Sequence, residues 1–75
     1  MIDLNLFFKN YRKYRIDYPE LRSGQSYFNV LYDMNPELAN EIRGTNIDPF
    51  HKKDEDMIPF IVWLHNKAAQ KKDKL

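Results

Sequence analysis

Asp48, His51, Asp54 and Asp56 form the densest run of potential metal ligands in the chain, and each of these side chains can coordinate a cation. A site also needs spacing. The run lies in a proline-containing irregular stretch with no recognised ligand pattern, and a calcium loop of the EF-hand type would need a central glycine that is absent here. Solvated charge and helix capping account for the same residues, so no metal and no cofactor is expected. Nucleophilic catalysis would need Ser or Thr beside a base and an orienting acid. Ser23 and Ser26 stand instead where a helix begins, a position that favours capping. No spacing ties His51 or His65 to them. Glu37 and Glu41 lie four apart, on what should be a solvated helix face. Two glycines cannot build a phosphate-cradling loop. The chain is expected not to be an enzyme.

Binding chemistry remains. Arg22, Gln25, Asn40, Arg43, Thr45 and Asp48 are polar residues that the helices described below do not need, and Trp63 is a candidate anchor beside them. Arg, Tyr and Trp dominate interface hot spots, which makes this set the expected partner-binding surface for a protein. The alternative is nucleic acid. Lys9, Arg12, Lys13 and Arg15 give the first helix a basic face able to neutralise phosphates. The tight joint between the second and third helices resembles a helix-turn-helix, but its would-be recognition helix carries Glu37 and Glu41, which repel phosphates.

The elements that must carry these residues are helical. Leu4, Phe7, Phe8, Tyr11 and Tyr14 recur at spacings of three and four, predicting an amphipathic helix over 3–17 with Asp3 or Asn5 as N-cap. Tyr18-Pro19 ends it, because a proline disfavours helical geometry in the residue before it. Ser23 is the expected N-cap of a second helix over 24–34, with Tyr27, Phe28, Val30, Leu31 and Met34 as its apolar stripe. Asn35-Pro36 caps and starts a short third helix over 36–43, with Leu38, Ala39 and Ile42 inward and Gly44 closing it in a left-handed conformation. An irregular loop over 45–54 is anchored by Ile47 and Phe50. Asp54 or Asp56 then caps a last helix over 56–69, in which Pro59 is tolerated in the first turn. Phe60 to Leu64 is apolar almost all round, so the loop, a partner or a second copy must cover the surplus. The expected fold is an all-α bundle of four helices in a single domain, with a frayed basic tail over 70–75.

Composition agrees with one small domain. Seventy-five residues with 43% hydrophobic and 15% aromatic content suffice for one core built on Phe and Tyr. Cysteine is absent, which excludes disulfides and thiolate metal sites. No apolar run approaches the roughly 20 residues that cross a bilayer. The N-terminal stretch lacks the basic n-region and small-residue cleavage site of a signal peptide. Net charge is +1, unevenly placed. Residues 1–16 and 57–75 each hold four bases and one acid, while 17–56 holds four bases and nine acids. Basic end helices lying against an acidic centre are the expected consequence.

Residues 21–32, Leu-Arg-x-Gly-Gln-x-x-Phe-Asn-x-Leu-Tyr, are followed over 36–50 by Pro-Glu-Leu-Ala-Asn-x-Ile-Arg-Gly-Thr-x-x-Asp-Pro-Phe. This pattern, with the apolar-aromatic helix from Ile58 to Leu64, resembles a group of small tailed-bacteriophage and prophage proteins to which no common activity is attached. The likeness covers roughly residues 18–65. It implies a non-enzymatic accessory protein in the cytoplasm of an infected bacterium, one that binds and modulates a host enzyme, a defence factor or a phage protein.

Overall fold

The computed structural model describes residues 2–73, and side chains as far as Ala69. Four helices carry the fold: α1 Leu4–Asp17, α2 Ser23–Met34, α3 Pro36–Ile42 and α4 Ile58–Asp73, with a single 3-10 turn at Asp54–Asp56 and no strand among the described residues. This is the expected all-α architecture. Its boundaries differ from the expected ones by a few residues. The last helix begins two residues later than 56 and runs four past 69, while the frayed tail expected over 70–75 falls on side chains outside those described.

The helix ends show why the boundaries sit where they do. Asp3, in extended backbone, accepts the Leu6 N–H at 3.1 Å and starts α1, so Asp3 rather than Asn5 is the cap. Asn35 does the same for α3, accepting from Leu38 at 3.2 Å with Pro36 behind it in the first helical position. Two expected caps are displaced. Ser23 is the first residue of α2, and Arg22 occupies the N-cap. An arginine side chain has no acceptor, so Gln25 secures this end by accepting the Arg22 N–H at 3.0 Å. Asp54 and Asp56 lie in the 3-10 turn, and the Met57 carbonyl accepts the first α4 bond, from Ile61 at 3.0 Å.

The core is a cluster of Ile2, Phe7, Phe28, Val30, Leu31, Ala39, Ile42, Phe60 and Leu64, drawn from all four helices and the segment before α1. Helical spacing places Phe7, Phe28, Val30, Leu31, Ala39 and Ile42 on the inward faces. In α4, apolar almost all round, it does not distinguish Phe60 and Leu64, and Ile2 lies before the first predicted stripe. Phe7, Leu31, Ala39 and Leu64 are fully sealed, and burying a large apolar side chain contributes about 1.5–3 kcal/mol. Aromatic rings join the layers. Tyr11 of α1 stacks on Tyr27 of α2 at 4.1 Å, and Tyr27 approaches Phe60 of α4 at 5.5 Å. The Asn29 amide donates to the Tyr14 hydroxyl at 3.0 Å beside this seam. Ser26, expected at a capping position, is instead fully buried with its hydroxyl unpaired, a burden of about 1–3 kcal/mol on the folded state.

Burial, followed by the adjacent Tyr11 hydroxyl, pushes the Tyr27 phenol from 10.0 up to about 12. Above pH 10 the unfolded chain loses this proton before the folded one does, so stability is full below that value and declines as pH rises toward 12. Urea denaturation across this window should show the decline in the parent and a shallower one in Tyr27→Phe. Equal slopes in the two proteins would contradict the assignment.

The loop between α3 and α4 packs on α2, not over the surplus apolar surface of α4. Ile58 and Val62 stay 68% and 53% exposed. The expected charge complementarity is likewise narrow. Among the described residues one ion pair joins the acidic centre to the last helix, Glu41 to Lys67 at 2.7 Å.

Candidate protein-binding surface

Where α3 ends, Gly44 takes φ +78, a left-handed conformation in which a residue with a Cβ is strained. The chain then doubles back through a tight set of side-chain bonds. The Thr45 hydroxyl donates to the Ile42 carbonyl at 2.7 Å and accepts the Ile47 N–H at 3.3 Å. Asp48 accepts the Gly44 N–H at 2.8 Å with one oxygen and the Phe50 N–H at 3.0 Å with the other. Thr45 and Asp48, expected at a partner surface, therefore hold the loop in shape. Gln25 is held at the α2 cap. These bonds aim Pro49 and Phe50 at α2, where Pro49 is fully buried and Phe50 meets Phe28 edge-on at 5.8 Å.

This packing leaves an open depression of about 340 Å³ lined by Phe28, Arg43, Asp48, Phe50 and His51. The Arg43 guanidinium lies over the Phe28 ring at 5.3 Å and over the Tyr32 ring at 5.6 Å. Both distances are within cation–π range. Arg43 is exposed, and its guanidinium makes no hydrogen bond or ion pair with another described residue. Tyr32 is 43% exposed. His51 sits at the rim, its ring 4.9 Å from Phe50. Arg22 borders the same loop, donating from Nη2 to the Phe50 carbonyl at 3.5 Å, and Asn40 is exposed one helical turn before Arg43. Trp63 stands apart. It is half-buried against Phe60, with the Lys67 ammonium 5.9 Å over its ring.

The basic face of α1 is less uniform than its spacing implied. Lys13 pairs with Asp17 at 2.9 Å, and that carboxylate, first through its hydrogen bond, raises the lysine above its ordinary pKa. Arg15 donates to the Leu21 carbonyl at 2.8 Å and closes the turn into α2. Lys9 and Arg12 are exposed and pair with no described carboxylate. Arg15 instead shares a second open depression, of about 330 Å³, with Arg22, Ser23, Lys52, Lys53, Asp54 and Glu55. Its two acids offset half of its four bases.

Among the described residues no three His, Asp or Glu side chains are arranged to hold a metal. No described helix is long and apolar enough to cross a membrane. Phe28 was expected in the apolar stripe of the second helix, and Tyr32 stands four residues on, outside that stripe. Nothing local tied either of them to Arg43. No family model, curated protein or solved structure matches the chain.

Proposed function

We propose that this chain is a non-enzymatic accessory protein that binds and modulates another protein through the Arg43 surface. The observation that carries this reading is the exposed Arg43 guanidinium lying over the Phe28 and Tyr32 rings beside an open, partly aromatic depression. Arg and Tyr on a rigid apolar base are the residue types that concentrate binding energy in protein interfaces. The resemblance to phage proteins adds the setting, an infected bacterium whose host enzyme or anti-phage defence factor is the partner. Nucleic-acid binding through α1 has weaker support, since Lys13 is paired and Arg15 is committed to the α1–α2 turn.

Affinity purification from infected and uninfected host cells tests this reading. The tagged chain should retain one protein in stoichiometric amount, and a Tyr32→Ala/Arg43→Glu double variant that still folds should lose it. Retention of DNA or RNA without a protein, abolished by Lys9→Glu and Arg12→Glu, would replace it with the nucleic-acid alternative.

A further inference from the structure

We infer that the Arg43 face recognises a carboxylate on the partner, an Asp or Glu side chain flanked by an apolar residue. The inference rests on the protein-binding reading above and names the chemistry of its ligand. Three observations carry it. The guanidinium lies over Phe28 and Tyr32, while its N–H groups have no acceptor among the described residues. A planar fork with its donors open matches the two oxygens of a carboxylate. The one carboxylate in the lining, Asp48, has both oxygens engaged by the Gly44 and Phe50 amides. It therefore orders the loop and forms no ion pair with Arg43.

The surroundings fit the same ligand. Beside Arg43 the floor of the depression is Phe28 and Phe50, and its rim carries His51. Lys52, His51 and the already engaged Asp48 line an adjoining open depression along Gly44 and Thr45. An acidic segment meets Arg43 and Lys52 along this edge, while an apolar neighbour in its sequence covers the aromatic floor. Complementarity of this kind speeds encounter and fixes register.

The test uses the full chain and a displayed library of random short peptides blocked at both ends. Selected peptides should carry Asp or Glu beside Leu, Met or an aromatic residue, and should lose binding when the acid becomes Asn or Gln. Arg43→Gln should weaken them roughly 10–100-fold, the range expected for losing a charged hydrogen-bonded pair. Arg43→Lys should also weaken them, because an ammonium lacks the planar fork. In the unsubstituted protein the amide resonances of Gly44, Phe50 and His51 should move on titration. Circular dichroism melts confirm that both variants remain folded. Peptides that bind without acid preference, or with equal affinity to Arg43→Gln, would overturn the carboxylate assignment and leave protein binding in place. A library that yields no binder at all would overturn both.

Discussion

Phe60→Ala is expected to leave the chain largely unfolded at 25 °C. Phe60 is 1% exposed and joins α4 to the rest of the core, with ring centroids 5.5 Å from Tyr27, 6.4 Å from Phe7 and 5.9 Å from Trp63. Removing a buried phenyl ring costs about 3–5 kcal/mol, from lost transfer energy and from the cavity left behind. A core in a chain this short supplies only about 3–5 kcal/mol in total, and no disulfide adds to it. The two quantities are equal within their scatter. Far-ultraviolet circular dichroism should therefore show most of the helical signal gone and no cooperative melt. Phe60→Leu is the graded control, since it fills most of the same volume and costs less than about 1.5 kcal/mol. It should keep a sharp transition at a lower midpoint. A Phe60→Ala protein that melts within a few degrees of the parent would show that α4 contributes little to the core.

Gly24→Ala should lower the melting temperature by roughly 10–20 °C, although alanine is the better helix former. In an exposed helix the exchange would gain about 0.5–1 kcal/mol. Here the added Cβ would fall inside contact distance of the Pro49 carbonyl oxygen, 3.0 Å from the carbon behind it and 3.2 Å from the Lys52 carbonyl oxygen. All three atoms belong to backbone, so no flexible side chain can swing away. The loop must lift off α2, and overpacking of this kind costs about 1–3 kcal/mol or more. For a domain of this size each kcal/mol moves the midpoint by roughly 4–8 °C. The variant also bears on the binding surface, because the segment it displaces carries Phe50 and His51. Peptide binding at Arg43 should weaken along with stability. A higher melting temperature for Gly24→Ala would mean that the loop does not sit on α2 in solution.

The glycines show how much of this was legible. Gly44 was readable because its role is local: a glycine after a short helix closes it in a left-handed conformation, and φ is +78 there. Gly24 was readable as a position open to close backbone approach, but not which backbone would approach it, since Pro49 and Lys52 are twenty-five and more residues away. Caps divide in the same way. Asp3 and Asn35 act within three residues of themselves and could be read directly. Ser23 lost its expected role because Gln25 secured the helix start one residue earlier.

The candidate site was legible only in part. Thr45 and Asp48 stood out as polar residues without helical duties, and the structure uses them in local side-chain-to-backbone bonds over two to four residues that fold the loop. Arg43 was singled out on type alone.

The sequence by itself determined the all-α class, the order and approximate extent of four helices, and most of the core. Each of these follows from periodicity, capping and proline placement, which act over a few residues. Only the tertiary structure decided that the loop lies on α2, that Ile58 and Val62 remain outside, and that Arg43 sits on Phe28 and Tyr32. Those outcomes depend on which surfaces of separate helices come together. A helical stripe specifies which side of a helix is buried, but not which partner buries it or which cation covers its edge.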